Sequence, residues 1–138
     1  MAEEKQTPEQ KEQETLMAAM GLIANGGNAK SLAFEAIRLA KKGDIAGARE
    51  KLKESDKALL EAHNSQTNML TKEAQGDHMH VTLLVVHSQD HLMNAITFRD
   101  LAGEMVDLYE KLYKLSLIHI SEPTRLRRIS YAVFYLKK

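Results

Sequence analysis

Apolar residues recur along this chain at helical spacing over three long stretches. In the first, Leu16, Met20, Ile23, Leu32, Ala36 and Leu39 fall on the interval that puts side chains on one face of an α-helix. The pattern holds from Glu9 to Lys42, with Asn25-Gly26-Gly27-Asn28 set inside it. Because periodicity resumes at once, the tetrad reads as a kink or bulge in one long helix and not as a break between two. Gly43 reads as the helix stop and Asp44 as the next N-cap. A second helix is expected over Ile45–Ala74, with Ala48, Leu52, Leu59, Ala62, Met69 and Leu70 among its apolar positions. Gln75-Gly76-Asp77 is the next turn. A third helix should run from about Met79 to Leu115, ~50 Å at the usual rise per residue.

Three helices with short connections predict an all-α, up-down-up three-helix bundle. The third helix carries more apolar surface than such a bundle can cover. Steps of 100° place Leu83, Leu84, His87, His91, Asn94, Ala95, Phe98, Leu101 and Met105 on one stripe. Val81, Val85, Leu92, Ile96 and Arg99 fall on a second stripe, about a third of a turn away. A helix apolar over more than half its circumference is buried on more than one side. One stripe packs on the other two helices, and the economical cover for the other is a further copy of the chain. The stripe bearing His87 is the candidate interface.

Composition narrows the function. There is no Cys, hence no disulfide framework, thiolate metal site or cysteine nucleophile. No stretch is long and apolar enough for a membrane span, and the polar start MAEEKQTPEQKEQE is no secretory signal. A cytoplasmic location follows as the expectation, without direct membrane insertion. The formal net charge of zero hides an asymmetry: residues 1–115 hold 14 basic and 18 acidic residues, a net of −4. That body has no basic stripe of the kind nucleic-acid binding needs.

The last 23 residues, SLIHISEPTRLRRISYAVFYLKK, abandon the helical logic. Glu122-Pro123 breaks a helix, the charge turns basic, and Tyr131, Phe134 and Tyr135 cluster. The stretch resembles translated sequencing-adapter DNA joined to a truncated gene, so no function is assigned to it. The expected organisation is a disordered N-terminus over 1–11, a helical domain over 12–115 and a non-native tail over 116–138.

His87, Asp90 and His91 stand within VTLLVVHSQDHLMNAI, the most apolar segment. Their i, i+3, i+4 spacing puts them in one sector of a helix. Paired His at i and i+4 recurs in zinc enzymes, but the zinc-protease pattern needs Glu directly after the first His, and Ser88 stands there. A neutral imidazole nitrogen is also a good nucleophile near pH 7, which suits a phosphoryl carrier. The plain structural alternative is a buried histidine satisfied by hydrogen bonds at an interface. His78 and His80, at the loop into the third helix, read as solvent-exposed or capping.

Three blocks together resemble one family. They are MGLIANGGNAKSLAFEAIRLAKKGDIAGAREKL at 20–52, EAHNSQTNML at 61–70 and VTLLVVHSQDHLMNA at 81–95. They look like the IIA component of the lactose/cellobiose (chitobiose) class, part of the bacterial phosphoenolpyruvate-dependent sugar phosphotransferase system. The resemblance covers about residues 12–114. It implies three helices per subunit assembled as a homotrimer, a nine-helix bundle. It implies that the phosphocarrier HPr phosphorylates His87, which opens the HxQDHLM motif. The group then passes to a cysteine of the IIB component and serves the membrane IIC component in phosphorylating an incoming disaccharide (cellobiose, chitobiose or lactose). Asp90 corresponds to the family aspartate at the trimer axis, where three copies can share a structural divalent cation, Mg²⁺ being favoured for oxygen-only ligation.

Transfer through a loose transition state needs positioning and charge neutralisation more than covalent machinery. Gln89 and His91 are the expected supports, with His63 and Gln66 on the second helix of the same or a neighbouring copy as further candidates. Two rivals stand beside this reading. One is a two-component histidine phosphotransfer domain, which usually places Lys three residues after the His, where Asp90 stands. The other is a structural helical assembly module without phosphoryl chemistry.

Overall fold

The computed structural model describes residues 7–120, and all regular structure in them is helical. Helix α1 spans Pro8–Lys41, α2 spans Ile45–Ala74 and α3 spans Leu83–Ile120. They run up, down and up, as expected from the sequence. α1 is the common neighbour of the other two, and α2 and α3 touch each other less.

Local chemistry sets the ends. Thr7 and Gln10 form a reciprocal capping box ahead of Pro8, with Thr7 N–H donating to Gln10 Oε1 at 2.9 Å. The helix therefore starts earlier than the expected boundary, and residues 8–11 are helical where disorder over 1–11 was anticipated. α1 ends in a Schellman motif at Gly43, whose φ of +91° is left-handed. There the Asp44 and Gly43 N–H groups donate to Leu39 and Ala40 carbonyls. Gly76 ends α2 in the same way. Asp44 caps α2 through Gly47 N–H at 2.9 Å.

α3 departs from expectation at both ends. It begins at Leu83 because Thr82 acts as its cap, its Oγ1 accepting from Val85 N–H. It continues past Leu115, and Ser116–Ile120 form an exposed helical extension. Those five residues belong to the expected non-native tail; its remainder, 121–138, lies outside the described residues, as do residues 1–6.

The core is built on small residues. α1 buries Ala19, Leu22, Gly26, Ala29, Ala33, Ala36 and Ala40, so α2 and α3 can approach its backbone closely. One apolar cluster centres on Leu22, Leu59, Met69, Val85 and Leu92. The other centres on Ala36, Leu52, Ala102 and Val106. Buried Ser55 is satisfied by donating to the Ala29 carbonyl at 2.8 Å. The Asn25–Asn28 tetrad interrupts nothing: α1 is continuous through it, because its glycines lie where α3 crosses.

Candidate functional site

α3 turns Val85, Ser88, Leu92, Ala95, Ala102 and Val106 into the bundle. The face opposite carries His87, Asp90, Asn94 and Leu101, all exposed. The two-stripe expectation thus resolves. Val85 and Leu92 of the second stripe pack inside the chain, as does Ala95 of the first. Most of the His87 stripe is left uncovered, with Leu83 85% and Leu101 58% exposed. The stripe extends further than anticipated, through Leu108 (63% exposed) and Leu112.

His87 and His91 sit one turn apart, as the i, i+4 spacing requires. Their rings are edge to face, with centroids 5.3 Å apart. His87 is exposed and His91 half-buried. His91 is hemmed in by α1: a Cβ added at Gly27 would lie 3.8 Å from its Cε1. Further along the same groove, Lys30 of α1 donates to Asn94 Oδ1 at 2.9 Å and lies over the Phe98 ring. Phe98 in turn stacks on Phe34 at 4.3 Å.

Gln89 faces away from this groove, toward α2. It accepts a hydrogen bond from Gln66 Nε2 at 2.6 Å and directs its own amide at Met69 Sδ, 3.9 Å away. Two of the four expected supports are therefore partners of each other. His63 lies exposed one turn earlier on α2, and among the described residues its ring makes no hydrogen bond or ring contact. His78 and His80 are exposed, and His78 Nδ1 is 2.6 Å from Glu73 Oε1.

The expectation of metal binding is corrected. Among the described residues no group of three or more His, Asp or Glu side chains is placed to hold a metal ion. Asp90 is an exposed carboxylate on one helix, and it forms no ion pair among those residues. One carboxylate supplies a small part of the roughly six oxygens that Mg²⁺ or Ca²⁺ requires. Within the single chain the described residues therefore form no metal site.

Sequence reasoning missed Gly27 and Lys30 as neighbours of the histidine segment. The signal was present in the tetrad. Two adjacent glycines inside a strongly periodic helix mark either a break or a close approach, and periodicity alone does not show which other helix approaches.

Comparison with known proteins places these features. A profile of the lactose/cellobiose-specific IIA subunits of the phosphotransferase system matches residues 17–110. The cellobiose-specific EIIA component of Lactococcus lactis (strain IL1403) is 53% identical over 96 residues, 70% of this chain and 83% of the relative. The crystal structure of a cellobiose-specific enzyme IIA from Bacillus anthracis superposes with a TM-score of 0.71 at 44% identity, over 72% of this chain and 92% of that one. The chitobiose IIA in a solution structure of the IIA–HPr complex from Escherichia coli does so at 0.64 and 42% identity, over 72% and 96%. Among the described residues no helix is long and apolar enough to cross a membrane.

Proposed function

This chain belongs to the lactose/cellobiose-specific IIA family of the sugar phosphotransferase system, and from that premise we propose that it is a phosphoryl carrier whose carrying residue is His87. The donor is phosphorylated HPr, as the E. coli relative's complex with HPr suggests. The acceptor is a cysteine of a IIB component, and the phosphate ends on a disaccharide taken up by the membrane IIC component. Relatives carry the names of cellobiose, galactose and chitobiose, and the reading takes the sugar to be a cellobiose- or chitobiose-like disaccharide, or lactose. The carrier works in the cytoplasm.

The observation that carries this reading is the exposure of His87 on a face of α3 that also leaves Leu83 and Leu101 uncovered. A carrier must present its nitrogen to two protein partners in turn, and a buried histidine cannot. In the step itself the N–P bond of the donor breaks as an N–P bond to a ring nitrogen of His87 forms. In the next, that bond breaks as a thiolate sulfur takes the phosphoryl group. His91 supports the phosphorylated ring from one turn away. Gln89 acts from the α2 side, held by Gln66. His63 is available to contribute from a neighbouring copy.

The same stripe supports assembly as a homotrimer. An uncovered apolar row of this length is a surface that association removes from water. Incubation with phosphoenolpyruvate, enzyme I and HPr, followed by peptide mapping in alkali, tests the reading. The expected result is an acid-labile phosphate on His87, absent in His87→Gln. A folded chain that takes up no phosphate overturns it.

A further inference from the structure

The Asn25–Asn28 tetrad has no role in the carrier reading as it stands. Its second glycine faces the His91 ring, with the would-be Cβ 3.8 Å from Cε1. Its first lies against the backbone of the same turn, where a Cβ would be 3.6 Å from the His91 carbonyl oxygen and Leu92 Cα. α1 therefore passes α3 with bare backbone against imidazole. A methyl group at position 27 fits that gap, whereas a branched side chain would take the place of the ring.

The two ring nitrogens of His91 differ. Nδ1 is buried and has no hydrogen-bond partner among the described residues. Nε2 is not among the buried atoms and makes no hydrogen bond either, so it is the nitrogen open to the site. A neutral imidazole has one N–H donor and one acceptor nitrogen. A buried N–H without an acceptor loses its hydration uncompensated, and such orphans are rarer than under-used acceptors. The proton therefore belongs on Nε2, facing outward on the stripe shared with His87.

We propose that Gly27 is a positioning residue that seats His91 as its Nε2–H tautomer, so that Nε2 donates a hydrogen bond to a phosphoryl oxygen carried by His87. This rests on the carrier reading of His87. His91 forms no bond to phosphorus and exchanges no proton. It stabilises the dianion by a charge-assisted hydrogen bond, which is stronger than one between neutral groups. Gly27 acts only through the place it leaves for the ring.

Side-chain length separates the two nitrogens experimentally. Glutamine places an amide nitrogen near the position of Nε2, whereas asparagine reaches only to that of Nδ1. In the phosphoenolpyruvate, enzyme I and HPr assay, His91→Gln should phosphorylate within a few-fold of wild type. His91→Asn should fall by about 10–100-fold, the weight of a hydrogen bond to a charged group. Gly27→Val should behave as His91→Asn, with helicity unchanged in all three variants. Imidazole ¹⁵N spectra of the full chain should show the Nε2–H tautomer at His91. Equal rates for the Gln and Asn variants overturn the proposal, as does an Nδ1–H tautomer or an unimpaired Gly27→Val. If those results come from a chain whose wild type is phosphorylated on His87, the carrier reading survives them. A wild type that takes no phosphate overturns both.

Discussion

Gln66 on α2 donates a 2.6 Å hydrogen bond to Gln89 on α3, two residues beyond His87. The bond ties two helices together at the level of the histidine, and these two touch each other less than either touches α1. Both amides are part-buried, so loss of one leaves the other short of a partner. Gln66→Ala should lower stability by about 1 kcal/mol, read as a shift in the urea midpoint. Gln89→Ala should cost about the same, and the double variant should cost less than the two together, with a coupling of about 0.5–1.5 kcal/mol. Strict additivity would show that the two side chains act separately.

Glycines at three positions should respond to alanine in different directions. Gly43 adopts φ +91°, and a Cβ there would also meet the Tyr113 ring at 3.5 Å. Gly43→Ala should destabilise by about 1 kcal/mol or more. Gly21 lies inside α1 with nothing within 4 Å of its would-be Cβ. Gly21→Ala should stabilise by up to about 1 kcal/mol, because alanine loses less backbone freedom on forming helix. Gly27→Ala should gain similarly, since its nearest neighbour is at ordinary contact distance. Thermal melts of the three variants check the order; a stabilising Gly43→Ala would contradict the left-handed cap.

How legible this was depended on the kind of force involved. Helix number, order and the Gly43 and Gly76 stops follow from periodicity and from left-handed backbone, which are local. Two boundaries moved because a side chain intervened: Thr7 with Gln10 brought α1 forward, and Thr82 delayed α3. At the far end, Ser116–Ile120 extend α3 although its buried residues end at Val106, since helix propagates at little cost once formed. The i, i+4 pairing of His87 and His91 was readable because it lies within one helix. The partners of Gln89 and the seat of His91 were not, because Gln66 and Gly27 reach them from other helices, and one sequence does not encode helix rotation visibly. Metal binding at Asp90 came from the resemblance, and within a single chain the described residues gather no group of three ligands around that carboxylate.

The loop between α2 and α3 is anchored by exposed ion pairs, and their acid response has a definite sign. His78 and the Met79 N–H hold the Glu73 carboxyl below its ordinary value of 4.5. Lys11, bonded to Asp77 at 2.6 Å, holds that carboxyl below 3.8. A carboxyl with a lowered folded pKa contributes stability at pH values above its unfolded pKa, and loses it as pH falls through the folded value. The Lys11–Asp77 pair should therefore be intact at pH 7 and weaken progressively as acid protonates Asp77. Lys11→Met should melt slightly below wild type at pH 7 in low salt, and the gap should narrow steadily as the pH is lowered. A difference that does not narrow with acidification would mean that Lys11 acts through packing and not through its charge.

The row of exposed apolar residues on α3 makes the sharpest claim about assembly. Leu101 and Leu108 are 58% and 63% exposed in the single chain, so a charge at either costs the isolated fold little. If the row packs against the same row of neighbouring copies, one substitution introduces a like charge from every copy at the shared contact, which is strongly unfavourable. Leu101→Lys and Leu108→Lys should therefore reduce the mass measured by light scattering from that of a trimer to that of a single chain, with helicity retained. Asp90 lies on the same face but already carries such a charge. Asp90→Leu should leave the assembly intact and raise its melting temperature. Lysine variants that remain trimeric, or an Asp90→Leu chain that falls apart, would place the subunit contact on another face of the bundle.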